Sequence, residues 1–344
     1  MKKHNKQHFT ALVFISLLSS GVPAAQASEI GHYAGGFYNI RDFFVPEKSG
    51  FYGALYNYGY TTNRLNNGSG EQINSITFNN PTGGHDATVG VSMNVDMYVL
   101  ATTLMWVSDW KPLGAKYAAL IAPSFANASL NAALSTILGR GAEFSVSSFD
   151  VGDMFIQPIW LDWEFKHFDV TLAYGLYAPI GKYHIQNATT PIGVPVRGES
   201  PSNIGYGFWT HQFQSAVAWY PFEHKGTAVT GALTYELHDQ KKGFDLTPGE
   251  NLTLNYGVSQ FLPLTDDHNV MLELGVAGFS SWQISNDTGS AANPIKDQLH
   301  AVGGQLGLAY VPLQLGLTAH YFSEFSAKDR FQGESFGISL AKKF

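Results

Sequence analysis

The stretch NLTLNYGVS, residues 251–259, decides how the rest of the chain is read. Asn251, Thr253, Asn255, Gly257 and Ser259 fall on one face of an extended chain, and Leu252, Leu254, Tyr256 and Val258 on the other. Successive side chains of a strand point to opposite faces, so this alternation predicts a β-strand with one apolar face. The polar face carries amides, hydroxyls and a glycine, and no charge. A soluble sandwich turns its outer face to water and crowds charge there. Small neutral polar groups opposite a continuous apolar face fit a wet interior and a lipid-facing exterior.

The pattern recurs in AVTGALTYELH (228–238), FDVTLAYGLYA (168–178), VGGQLGLAY (302–310), LQLGLTAHYF (313–322), TVGVSMNVDM (88–97) and the closing ESFGISLAKKF (334–344). Most strands of soluble proteins run roughly five or six residues. Crossing a bilayer at a tilt takes roughly nine to eleven. Strands are expected at 51–62, 88–107, 114–126, 152–166, 168–180, 204–220, 226–239, 249–262, 268–284, 298–311, 312–325 and 332–344. Between them, polar loops at 63–87, 127–151, 181–203, 240–248, 285–297 and 326–331 alternate with short turns at 108–113, 166–167, 221–225, 263–267 and 311–312. Short turns on one side, longer loops on the other and an even strand count describe a bacterial outer-membrane barrel. The expected fold is all-β: a transmembrane antiparallel up-and-down barrel of about twelve strands, with ten or fourteen as alternatives. Both termini then lie on the short-turn side.

Three segments depart from the simple pattern. In GDMFIQPIWLDWEFK the polar residues switch from odd positions (Asp153, Gln157) to even ones (Asp162, Glu164), which one extra residue near Pro158 would explain. In YVLATTLMWV both faces are apolar, and Tyr98, Leu100, Leu104 and Trp106 are expected to face inward, making part of the lumen greasy. SLNAALSTIL (129–138) has helical spacing and is expected to form a short helix in an outer loop. Trp163, Trp219, Tyr310 and Phe344 near one end of the spans, with Trp282 near the other, suit interfacial girdles.

Composition agrees with the barrel. Charged residues are 14% of the chain, well below the ~25% of ordinary soluble domains. No stretch approaches the roughly 18 apolar residues of a membrane helix, so the 44% hydrophobic content must be spread over strands. Lys2, Lys3 and Lys6, then FTALVFISLL, then AQA before Ser28, read as a signal peptide cleaved near Ala27. The chain has no cysteine, which excludes a disulfide scaffold and thiolate metal sites. Removing residues 1–27 takes three lysines and no acid, leaving 17 basic against 27 acidic residues, a balance of −10. That charge excludes a nucleic-acid partner, which needs a basic face.

Catalytic motifs are missing: no HExxH, no phosphate loop, no GxSxG and no dinucleotide fingerprint. His320 with Glu324, and Glu236 with His238, share strand faces and could transfer a proton or bind a metal. A wet lumen explains both pairs more simply, and the same holds for Asp153, Asp162, Glu273 and Gln305. No cofactor or metal is expected. SEIGHYAGGFYNIRDFFVPEKSG, ahead of the first strand, is too irregular for a strand and too apolar for a loose tail. It either tucks into the barrel as a plug, with Arg41 and Asp42 pairing to lumen charges, or packs under the periplasmic rim. The expected division is a signal peptide over 1–27, a plug or rim segment over 28–50 and the barrel over 51–344.

NIRDFFVP (39–46), FYGALYNYGY (51–60), SDWKPLGAKY (108–117), GDMFIQPIWLDWEF (152–165) and YAPIGKY (177–183), in that order, resemble the family described as involved in the meta-pathway of phenol degradation. Arg41-Asp42, Gly152-Asp153 and Pro179-Ile180-Gly181 match its motifs. The resemblance implies an exported outer-membrane channel for small hydrophobic or aromatic compounds, similar in style to fatty-acid and toluene channels, and no catalytic residues. The route is expected to combine apolar rings from Tyr98, Leu104 and Trp106 with polar handles such as Gln157 and Glu236. Phe336, Ile338, Leu340 and Phe344 resemble the closing segment that the barrel assembly machinery recognises, with Lys342 departing from the usual hydrophobic residue. Expected surroundings are outer-membrane lipid and lipopolysaccharide. The alternatives are a lipid-modifying outer-membrane enzyme using the histidine pairs, or a closed structural or adhesive barrel.

Overall fold

The computed structural model describes residues 31–78, 87–135, 141–189, 195–200 and 202–344. The signal peptide expected over residues 1–27 lies outside them. In chain order the strands are β1 (Gly50–Thr62), β2 (Ser75–Phe78), β3 (Ala87–Val107), β4 (Lys116–Ala122), β5 (Ser124–Ser135) and β6 (Gly141–Val151). They continue as β7 (Met154–Glu164), β8 (Phe168–Ala178), β9 (Ile185–Thr189), β10 (Pro195–Glu199), β11 (Thr210–Trp219) and β12 (Thr227–His238). The last five are β13 (Asn251–Pro263), β14 (Val270–Gln283), β15 (Gln298–Tyr310), β16 (Leu315–Lys328) and β17 (Glu334–Lys343).

Twelve antiparallel strands close into a barrel: β1, β3, β4, β7, β8 and β11 to β17. β1 shuts the ring by pairing with β3 on one side and β17 on the other. Closure matters because an open edge in lipid would leave its backbone groups unpaired. β5 continues β4 beyond Pro123 and pairs with both β3 and β6, so a three-stranded flap stands on the long-loop side. β9 and β10 form a hairpin within the loop expected at 181–203. Four of the short turns place a non-glycine residue in the left-handed region, namely Leu113, Lys225, His268 and Gln314, as tight reversals demand.

The burial pattern is the reverse of a soluble protein's. Along β13, Asn251, Thr253, Asn255 and Ser259 are buried, while Tyr256 and Val258 are exposed. The same inversion runs through its neighbours: Val276 is 65% exposed and Leu306 52%, whereas Glu273, Gln305, His320 and Ser339 are buried. Apolar groups on the outside are stable only against lipid, so the twelve strands form a membrane-spanning wall. Exposed Trp106, Trp110, Phe165, Phe168, Trp219, Phe222 and Tyr310 ring its short-turn end.

The extra residue expected near Pro158 is present. β7 gains one residue against β8 between Ile156 and Ile159, and one against β4 between Gln157 and Trp160. Gln157 and Asp162 therefore both face inward despite their odd separation. On the closing strand, the Phe336 ring lies over Gly59 and the Phe344 ring over Gly53, each filling the space a Cβ would take on β1. The Phe344 amide donates to the Phe51 carbonyl at 2.9 Å.

Two expectations are corrected. Residues 129–135 are not helical but belong to β5, because pairing with β3 on one side and β6 on the other satisfies their backbone. Residues 136–138 lie outside the described ones. On β3, Tyr98, Leu104 and Trp106 are 39%, 53% and 44% exposed and face outward. Register fixes this: buried Tyr58 is paired with Val99, and directly paired residues share a face. The inward set is Val95, Met97, Val99, Ala101, Thr103 and Met105. The greasy inner wall exists, then, but on the opposite phase of the strand. Alternation could not orient a strand that is apolar on both faces.

Candidate functional site inside the barrel

Residues 31–49 have no regular structure, so their backbone groups must find partners outside their own segment. The inner wall supplies them. The amide of Tyr33 donates to Glu236 Oε1 at 2.9 Å, that of Gly36 to Asn255 Oδ1 at 3.0 Å, that of Ile40 to Gln305 Oε1 at 2.9 Å and that of Val45 to Asp162 Oδ2 at 2.9 Å. Lys116 Nζ donates to the Val45 carbonyl at 2.9 Å, and Asn39 Nδ2 to Ser339 Oγ at 2.8 Å. Tyr33, Ile40, Phe43 and Val45 are buried. Gly35 and Gly36 allow this close passage: a side chain at either position would strike Phe279, and Gly36 is left-handed at φ 72°.

Arg41 and Asp42 anchor the segment in two directions. Arg41 Nε donates to Glu273 Oε1 at 3.0 Å and Ser259 Oγ at 2.9 Å. Its other nitrogens reach the carbonyls of Lys225 and Gly226, and the guanidinium lies 4.4 Å from the Phe261 ring centre. Gln305 Nε2 completes the cluster by donating to Glu273 Oε2 at 2.9 Å. Asp42 Oδ2 accepts from Tyr56 Oη at 3.0 Å and from Asn39. A planar guanidinium with four acceptors and a ring beneath it is held far more firmly than a surface ion pair.

Asp153 is a second hub. Its Oδ1 accepts from the Gly181 amide at 2.9 Å, and its Oδ2 from the Tyr206 amide at 2.8 Å and from His32 Nε2 at 3.0 Å. The Gly152-Asp153 and Pro179-Ile180-Gly181 motifs, 28 residues apart, thus meet at one carboxylate. His32 stacks on Tyr177 at 4.7 Å and bonds through Nδ1 to Thr210 Oγ1 at 2.7 Å, which in turn bonds His238 Nδ1 at 2.7 Å. His32, Thr210 and Tyr206 were not foreseen. They come from the N-terminal segment, the start of a strand and a long loop, with no shared sequence motif to flag them.

The other predicted residues are also placed. Glu236 faces the Tyr33 amide while His238 faces Thr210, so each has its own partner. His320 Nδ1 pairs with Asn39 Oδ1 at 3.1 Å, and Glu324 accepts from Tyr60 Oη at 3.0 Å and the Gly333 amide at 2.7 Å. Neither histidine–glutamate pair is joined directly. Gln157 is buried, beside the cavity at the short-turn end. Among the described residues no group of three or more His, Cys, Asp or Glu could hold a metal ion.

Three cavities lie between the N-terminal segment and the β1–β3 side of the wall. One of about 300 Å³ opens toward the long loops, near Tyr60, Val95 and Phe331. One of about 170 Å³ lies mid-barrel against Met97, Val99 and Ala101. One of about 540 Å³ lies at the short-turn end, against Met105, Leu120 and Trp160.

A family model described as the putative MetA-pathway of phenol degradation matches residues 62–340. In three dimensions the barrel is similar to the COG4313 outer membrane channel from Pseudomonas putida F1, with a TM-score of 0.60 and 13% identity over 89% of this chain and 100% of that one. The beta domain of the Bordetella autotransporter BrkA is similar at a TM-score of 0.47 and 11% identity, over 86% of this chain and 100% of that one. No curated protein matches in sequence.

Proposed function

The chain belongs to the family described as the putative MetA-pathway of phenol degradation, and we propose that it is an outer-membrane channel through which small hydrophobic or aromatic compounds diffuse. The observation that carries the proposal is the chain of cavities inside a closed, lipid-facing barrel, bordered on one side by an apolar strand. The similar Pseudomonas barrel is an outer membrane channel by its description, which supports the same role here. Export through a cleaved signal peptide and folding by the barrel assembly machinery into lipid and lipopolysaccharide belong to this reading.

In the same reading residues 31–46 act as a plug. Their bonds reach the loop before β7 and the walls of β7 and β11 to β17, so the segment narrows the lumen without moving as a free tail. Twelve strands lie between the eight that side chains fill and the sixteen to eighteen of open aqueous porins. A plugged barrel of this size favours small solutes of low polarity over sugars. Liposome swelling with aromatic and hydrophilic solutes, paired with uptake by cells carrying or lacking the gene, tests the proposal. Faster entry of aromatics alone is expected. Equal entry of every solute with and without the protein would sink it.

A further inference from the structure

Resting on the channel reading, we infer that the solute passes along one seam, between the N-terminal segment and the inner face of β3, and that Met97 and Thr103 set its specificity. The segment is hydrogen-bonded to β1, β4, β7 and β11 to β17, and stacks on β8 through His32 and Tyr177. Among the described residues no hydrogen bond joins residues 31–46 to the inner face of β3. Facing β3 there is a cavity instead, lined by Phe37 and Tyr38 of the segment and by Met97, Val99, Ala101 and Thr103 of the strand, while on neighbouring β1 Phe37 lies 5.4 Å from Tyr56 and 5.7 Å from Tyr58, centre to centre. Surfaces held only by dispersion can part to admit an apolar molecule without stranding a buried donor or acceptor. On the opposite side, entry would break charge-assisted bonds such as Arg41–Glu273.

The cavities trace the same line. The outer and middle ones share Met97 and Tyr58, and the middle and inner ones share Tyr38 and Thr103. These shared residues are the two necks of one path along β3. The middle chamber of about 170 Å³ is close to the roughly 150 Å³ of an apolar cavity that accepts benzene, so the solute class is a single aromatic ring with few polar atoms. A thioether at the outer neck suits that task, because it is flexible, polarizable and favourable against ring edges.

The chain has no cysteine, so Met97→Cys and Thr103→Cys each carry one unique thiol. Modification of each by N-ethylmaleimide is measured on the purified full-length barrel, with and without toluene. Val276→Cys on the lipid face serves as control. With toluene a few times above its Kd, the neck thiols should react about fivefold more slowly, by mass action, and the control unchanged. In parallel, Met97→Trp should cut toluene uptake by intact cells severalfold while the barrel still folds, judged by its heat-modifiable gel mobility. Unchanged thiol rates at both necks, with wild-type uptake intact, would overturn the seam and leave the channel standing. Protected thiols without any wild-type uptake would support the seam as a binding site and sink the channel instead. Should one cysteine variant fail to fold, the other carries the same measurement.

Discussion

The two walls around the N-terminal segment are built on opposite principles. From β11 round to β17 the inner face combines amide, hydroxyl and carboxylate groups with apolar residues such as Phe279 and Phe322, and it fixes the segment by hydrogen bonds at known atoms. Along β3 the inner face is valine, alanine and methionine with one threonine, Thr103, and it borders the cavity that Phe37 and Tyr38 of the segment also line. Directional bonds fix position, whereas dispersion contacts are numerous, weak and tolerant of displacement. On the proposed reading, a barrel that holds a plug and still passes a solute gains from having one wall of each kind.

The strongest way to break this contrast is to remove the segment. Deleting residues 32–46 should leave a water-filled lumen and raise single-channel conductance in planar bilayers severalfold, with sugars now admitted. Unchanged conductance would show that the segment does not limit the pore. Next in size is Glu273→Ala, which strands the Arg41 guanidinium in a largely buried site. It should cost about 3 kcal/mol in denaturant unfolding and make the conductance noisy as the segment loosens. Thr210→Val cuts the link between His32 and His238 and should cost about 1 kcal/mol, since it removes hydrogen bonds without adding a charge. Met105→Ala tests the other wall. Its side chain is half-buried beside an existing cavity, so the cost should be about 1 kcal/mol or less, below the usual 2–5 for a packed methionine. The effect of Met105→Ala should fall on the selectivity among aromatic solutes. A larger stability loss from Met105→Ala than from Glu273→Ala would reverse the assignment of the two walls.

Legibility in the sequence followed the same division. Where one face is polar and the other apolar, as in β8 and β11 to β17, alternation revealed the strand, its inward side and the order of short and long connections. The phase change at Pro158 was readable because Gln157 and Asp162 are polar on an otherwise apolar strand. On β3 both faces are apolar, one toward lipid and one toward the cavities, so alternation alone put Tyr98, Leu104 and Trp106 on the wrong side. The helix expected over 129–138 failed for a related reason. Leu130, Ala133 and Leu134 fit a helical stripe, but pairing with β3 and β6 outweighed that local preference. Asp153, Asp162, Glu236, Glu273 and Gln305 were recognisable as polar residues of an inner face. That each of them accepts from or otherwise bonds an internal segment depends on contacts 117 to 265 residues apart, which spacing does not encode.

Those separations bear on the order in which the molecule is built. The segment comes before β1, yet its bonds to Glu236, Gln305 and Ser339 span 203, 265 and 300 residues. Contacts of such long sequence separation are costly in loop entropy until the intervening strands are already in register. The segment that is synthesised before β1 is therefore expected to be seated late. The expected order is closure of the ring first and inward docking of the segment after it.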